Sequence, residues 1–107
     1  MGDALATLEE QYFFIRDNQF DLLAACQTDD QKNVVLTNLV TARQNYWNCI
    51  NKMFHDDDPK VAAAVKQTTA AEEQAKAACE SLDNIAKTLS MITKAVQFGT
   101  QLAAMAV

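Results

Sequence analysis

Glycine and proline are scarce in this sequence, with two glycines and one proline among 107 residues. Collagen-like, linker-like and most loop-rich β architectures need far more of both, so the composition argues against them. The chain length favours a single domain, which we place over residues 1–107. Half of the residues are hydrophobic and 21% are charged, a balance that does not indicate disorder.

Positive charge is also limited, since nine Lys and Arg residues face fourteen Asp and Glu residues and the net charge is −5. The basic residues are spread along the chain, whereas a phosphate-binding surface needs them clustered, so we predict no nucleic-acid partner. Near the start, no basic segment precedes an apolar run, and Glu9 and Glu10 are acidic. We therefore expect no secretory signal and a cytoplasmic protein, with leaderless export left open.

The residues that most catalytic and metal sites require are few. Histidine occurs once, at His55, and neither an HExxH nor a repeated Glu-x-x-His motif is present. Glycines at positions 2 and 99 cannot form a glycine-rich phosphate loop. Three cysteines, Cys26, Cys49 and Cys79, form no CxxC pair. The sequence therefore predicts no catalytic residue, no metal ligand set and no cofactor, and we expect the protein not to be an enzyme.

What the sequence does contain is residues that favour helices, above all Ala, Leu, Gln, Glu and Lys. Apolar residues recur at alternating three- and four-residue spacing, which is typical of amphipathic helices. We predict an all-α antiparallel bundle of three helices. Their approximate ranges are 4–26, 29–54 and 59–105.

Two helix starts separate these segments. Thr28 precedes Gln31 by three residues, the spacing of a capping box at the start of the second helix. Asp58 before Pro59 places a favoured N-cap residue ahead of a favoured first helical residue. The preceding His55 and its three aspartates are interpreted as the turn between helices two and three rather than as a metal site.

The third predicted helix is much longer than the others. It would span roughly 70 Å, against roughly 35–40 Å for each of the first two. No glycine or proline interrupts it before Gly99, which favours one continuous coiled-coil-like helix. The alternative is a break near Ser81, where a serine could cap a fourth helix and produce a four-helix bundle.

A continuous third helix would expose apolar residues beyond the first two helices, and such a surface indicates self-association. Small residues in its first half would allow a close approach of two copies. We predict a homodimer or higher oligomer. The predicted interaction seam comprises Ala71, Ala75, Ala78, Leu82, Ile85, Leu89, Ile92 and Val96.

The second helix carries two adjacent apolar rows, which predicts a central position with two partner helices. The first row is Val35, Leu39, Ala42, Tyr46, Cys49 and Met53. The second row is Leu36, Val40, Arg43, Trp47, Ile50 and Phe54. The remaining face is polar but uncharged, which is a possible surface for a protein partner. That face consists of Thr37, Thr41, Gln44, Asn48 and Asn51.

These features favour a non-enzymatic protein–protein interaction module, of scaffold, chaperone or inhibitor type, that associates with itself and with another protein. One alternative is a four-helix bundle that binds a small apolar ligand among its aromatic residues. Another is a peripheral membrane or secretion-associated protein. For that role, residues 85–107 would lie on a membrane surface as an amphipathic helix, although we do not expect a membrane partner.

Overall fold

The computed structural model describes residues 3–107, which fold into four α-helices. Helix α1 covers Asp3–Ala25, α2 covers Asp29–Cys49, α3 covers Pro59–Cys79 and α4 covers Ile85–Ala103. The all-α prediction is confirmed. The prediction of three helices is wrong, and the alternative, a four-helix bundle with a break near Ser81, is confirmed.

The break between α3 and α4 is made without glycine or proline. Leu82 adopts a positive φ of 55°, in the left-handed region that side chains rarely enter, and this reverses the chain direction after α3. The residue that caps α4 is Asn84, whose Oδ1 accepts a hydrogen bond from the Lys87 amide at 3.1 Å. The break was thus placed correctly, but its cap lies three residues beyond Ser81.

The other two helix starts form as predicted. Thr28 Oγ1 accepts a hydrogen bond from the Gln31 amide at 3.1 Å, and Asp58 Oδ1 accepts one from the Lys60 amide at 2.8 Å. The end of α2 was predicted too late, because the helix stops at Cys49 and residues 50–58 form the connection to α3.

Two helical hairpins, α1–α2 and α3–α4, pack side by side. Helices α1 and α4 each contact the other three, whereas α2 and α3 do not touch across the described residues. Asn38 and Asn45 of α2 bond Thr93 and Thr100 of α4, and because both pairs share one sequence offset, α2 and α4 run parallel. The connection of residues 50–58 therefore crosses one end of the bundle diagonally.

That end is closed by contacts between distant parts of the chain. Met53 and Val107 exchange two backbone hydrogen bonds of 2.9 Å, and Asp56 Oδ1 accepts a bond from the Ala4 amide at 3.1 Å. A cluster of apolar residues lies beneath these contacts. It includes Ala4, Leu8, Cys49, Val61, Ala64 and Leu102.

The larger apolar core lies towards the opposite end, where all four helices contribute. Its buried members are Ile15, Leu22, Val35, Ala42, Ala75, Ile85, Leu89, Ile92 and Val96. Cys26, Cys49 and Cys79 are free thiols in this fold. This core holds the helices in position and determines which faces remain outside.

Candidate functional site

The seam predicted for self-association lies inside the bundle. Ala71, Ala75, Ile85, Leu89, Ile92 and Val96 are buried, and Ala78 and Leu82 are half-buried. Apolar residues of α1 and α2, including Ile15 and Val35, cover them. The chain bends back at residues 80–84, so the apolar surface expected to overhang is satisfied by its own helices. Self-association remains a prediction, and the predicted seam is covered by other helices of the same chain.

The uncharged polar face of α2 lies at the surface as expected. Thr37, Gln44, Asn48 and Asn51 are exposed and Thr41 is half-buried. An open groove of about 250 Å³ runs along this face, lined by Leu36, Thr37, Val40 and Thr41. The placement leaves the face accessible, and its role in binding a partner remains a prediction.

The prediction that α2 has two partner helices is confirmed, but four residues of its second apolar row are not covered by either helix. Leu36, Val40 and Trp47 are 44%, 39% and 56% exposed, and Ile50 is exposed as well. Helix α2 does touch two helices, α1 and α4, but it faces α4 through the polar side chains of Asn38 and Asn45. These asparagines orient α2 so that its second apolar row points outward.

Four aromatic rings from α1 and α2 gather beside this row. Tyr12 lies 5.6 Å from Phe13, 6.3 Å from Tyr46 and 6.5 Å from Trp47 between ring centroids. Phe13 and Tyr46 meet edge to face at 6.3 Å. These spacings fall within the range where aromatic pairs attract one another beyond simple burial. The rings therefore form one connected cluster across the α1–α2 interface.

Two arginines lie over these rings. The Arg16 Cζ atom is 4.4 Å from the centroid of Phe13, and the Arg43 Cζ atom is 5.1 Å from that of Trp47. Both distances are within the roughly 6 Å over which a cation interacts with an aromatic face. Stacking of this kind favours some orientations of a long surface side chain over others.

A hydrogen bond fixes the edge of the cluster. The Tyr46 hydroxyl donates to Glu9 Oε2 at 2.6 Å, which links α2 to α1. This bond, more than partial burial, raises the pKa of Tyr46, because losing the proton would leave two anionic oxygens in contact. The phenol therefore stays a hydrogen-bond donor at neutral pH.

We call this region the α1–α2 surface. Its members are Tyr12, Phe13, Arg16, Leu36, Val40, Arg43, Tyr46, Trp47 and Ile50. Sequence patterning located the α2 row but assigned it to the core. The missing signal was the polar pair Asn38 and Asn45, whose seven-residue spacing marks a second contact face on α2.

Two buried polar side chains were also missed by sequence reasoning. Gln11 is 1% exposed and donates from Nε2 to the Ala95 carbonyl at 2.8 Å. Glu72 is 2% exposed, and Lys76 approaches its Oε2 at 3.4 Å. In the described chain neither Gln11 Oε1 nor Glu72 Oε1 has a donor. Burial raises the pKa of Glu72, and nearby Lys76 opposes that shift.

A cleft of about 610 Å³ lies between α2 and α4. It opens to solvent, and its lining contains no aromatic side chain; Gln31, Val34, Leu89 and Lys94 are among the residues that form it. The alternative prediction placed a small ligand among the aromatic residues, and of these Tyr12, Phe13, Tyr46 and Trp47 lie on the α1–α2 surface. Phe14 and Phe54 pack against the core clusters.

Metal and membrane features can be assessed over residues 3–107. No group of three or more His, Cys, Asp and Glu side chains is placed there to hold a metal ion. Within the same range, no helix combines the length and apolarity needed to cross a bilayer.

Compared with known proteins, the chain matches no family model, no curated protein and no solved structure.

Proposed function

We propose that this protein is a non-enzymatic protein–protein interaction module, of scaffold, chaperone or inhibitor type, and that it binds its partner through the α1–α2 surface. The observation that carries the proposal is the exposed row on α2, with Trp47 as its most accessible large side chain inside the helix. Trp, Tyr and Arg dominate binding energy at protein interfaces, and this surface presents all three.

The charge distribution supports the same function. Arg43 is the one charged residue between Asn33 and Asn51, in a chain where about one residue in five is charged. The centres of protein interfaces are depleted in charge and enriched in aromatic residues and arginine. Apolar residues that stay outside the core on one side of one helix are also a recognised mark of a binding surface.

Other functions have less support from the fold. Surface binding by residues 85–107 would need the apolar face of α4, which includes Leu89, Ile92 and Val96, to leave the core. Self-association through the predicted seam would likewise require the α3–α4 hairpin to separate from α1 and α2. We place the protein in the cytoplasm, since its three free cysteines suit a reducing compartment.

Site-specific photo-crosslinking tests this function. A photoreactive residue replaces Val40 in one variant and Lys66 in a control variant, where Lys66 is exposed on α3, which does not touch α2. In extract of the source cells we expect a discrete adduct from position 40 that position 66 does not give. Mass spectrometry then identifies the second chain. Identical adduct patterns from the two positions would contradict binding at the α1–α2 surface.

A further inference from the structure

We propose that the partner of the α1–α2 surface is an amphipathic helix of another protein that carries a carboxylate opposite Arg43. This inference rests on the proposed function and adds to it the kind of partner. Three features of the surface lead to it, namely an unmatched guanidinium, an apolar row of defined length, and the absence of acidic residues on α2 beyond its first turn.

Arg43 is the unmatched charge of the surface. The Arg16 guanidinium pairs with the Asp17 carboxylate at 3.1 Å, and the Glu9 carboxylate accepts a hydrogen bond from the Tyr46 hydroxyl. Arg16 and Glu9 therefore already have partners within the chain. In the described chain no carboxylate oxygen lies within 4.0 Å of Arg43. Its guanidinium lies over the Trp47 ring, and this contact favours an orientation in which its N–H donors remain free. A carboxylate is the group that matches this planar set of donors.

The apolar row has the length and spacing of a helix contact. Leu36, Val40, Arg43, Trp47 and Ile50 follow one another at intervals of three or four residues. From first to last they extend about 21 Å along α2, which equals about four turns of a partner helix. Alternating three- and four-residue spacing is that of the seam along which two helices pack side by side.

A second copy of this chain does not supply the matching charge. From Gln31 to His55 the sequence contains no Asp or Glu. Two copies packed row on row would therefore bring two Arg43 side chains together with no acid from either row. The overall charge of −5 does not prevent an acidic partner from binding, because charges beyond roughly 8 Å are largely screened at physiological salt.

Selection from a displayed peptide library tests the inference. Each library member is an 18-residue helix with leucines fixed at three- and four-residue spacing and with its other positions drawn from Glu, Lys, Gln and Ser. The full-length protein is the bait, and Trp47→Ala serves for counter-selection. We expect the recovered peptides to carry Glu at one position beside the leucines, and Arg43→Glu to change that preference to Lys.

Trp47 is the only tryptophan of the chain, so its fluorescence reports binding directly. One selected peptide and its Glu→Lys counterpart are titrated into the protein. We expect the Glu peptide to bind about tenfold more tightly to wild type, and the order to reverse with Arg43→Glu. Lys66→Glu makes the same charge change on α3 and should keep the wild-type order. Circular dichroism verifies that each variant is folded.

Several results would overturn the inference. The inference fails if the recovered peptides share no acidic position. It also fails if no peptide binds wild type more tightly than Trp47→Ala, or if the Glu and Lys peptides bind wild type with equal affinity. Two further results would assign the surface to another occupant and so contradict the inference. One is sedimentation that shows a dimer of the wild type and a monomer of Trp47→Ala. The other is a change in Trp47 fluorescence when anionic vesicles are added. Crosslinking from position 40 tests the proposed function by itself. Failure of the proposed function can therefore be distinguished from failure of the inference about an acidic helix.

Discussion

Gly99 provides the space in which the side-chain amide of Gln11 lies at the centre of the bundle. A β-carbon on Gly99 would collide with Gln11 Oε1 and would stand only 3.1 Å from its Cδ atom. The amide donates its one hydrogen bond to Ala95, one helical turn before Gly99. The close approach of α1 to α4 therefore depends on the missing side chain at position 99.

Replacing Gly99 with alanine tests this contact. We expect Gly99→Ala to lower the free energy of unfolding by about 1–3 kcal/mol, because the buried amide must move away from Ala95 and lose its bond. In a Gln11→Ala background the collision is gone, and the same change should raise the free energy of unfolding by up to about 1 kcal/mol through helix propensity. Urea unfolding of the four proteins measures both effects. An equal effect in the two backgrounds would disprove the coupling.

The buried Glu72 makes stability depend on pH. Burial raises the pKa of Glu72 in the folded protein, so the folded state holds this proton more tightly than the unfolded state does. The free energy of unfolding should therefore fall as pH rises from the ordinary glutamate pKa through the raised one, and level off above it.

Glu72→Gln removes that titration. We expect the variant to be more stable than wild type at neutral pH by about 1–2 kcal/mol, since a buried carboxylate with one unbonded oxygen is replaced by a neutral amide. The lost contact with Lys76 costs little, because the lysine is about half exposed. Urea unfolding from pH 4 to pH 8 provides the measurement. Glu80→Gln, at an exposed position at the end of α3 that does not act on the pKa of Glu72, should keep the wild-type pH profile.

The start of α4 can be tested at two polar residues, Ser81 and Asn84, that lie three positions apart in the preceding turn. We expect Asn84→Ala to lower the free energy of unfolding by about 1 kcal/mol, because the Asn84 side chain accepts a hydrogen bond from the Lys87 amide at the helix start. Ser81→Ala should change stability by less than about 0.5 kcal/mol, as expected for an exposed residue without such a role. Thermal unfolding distinguishes the two. A larger loss from Ser81→Ala would assign the cap to serine.

The three thiols should react at different rates. Burial raises the pKa of all three thiols, but only Cys49 is fully buried, so reagents reach it least. We expect iodoacetamide to label Cys49 more slowly than the half-buried Cys26 and Cys79 in the native protein. Timed labelling with peptide mapping by mass spectrometry measures this order. In urea the three rates should become similar, and a fast native Cys49 would contradict the packing of α2 on α1 and α4.

Sequence patterns located the helix starts because their chemistry is local. The side chains of Thr28 and Asp58 accept hydrogen bonds from backbone amides that are only three and two residues further along the chain. The turn at residues 80–84 was placed only as an alternative, because Leu82 adopts a left-handed conformation that its residue type does not favour. Packing of the chain on itself, rather than local preference, stabilises that turn.

The candidate site was harder to predict than the fold. Leu36, Val40 and Trp47 have the spacing of core residues, and nothing in their own pattern shows that they lie outside. Their exposure follows from the Asn38 and Asn45 bonds to α4, which are contacts across 55 residues of sequence. Likewise, Gly99 has the spacing of an apolar seam residue, and its relation to Gln11 emerges only when the helices pack.

The two sides of α2 serve different purposes, since one side packs in the core and the other is exposed, and this affects how the sequence could evolve. Val35, Ala42 and Cys49 fasten the helix to the bundle, while Leu36, Val40 and Trp47 make little contribution to the core. Substitutions in the outer row would therefore alter recognition at small cost in stability. New partners could be acquired there stepwise, with the inner row keeping every intermediate sequence folded.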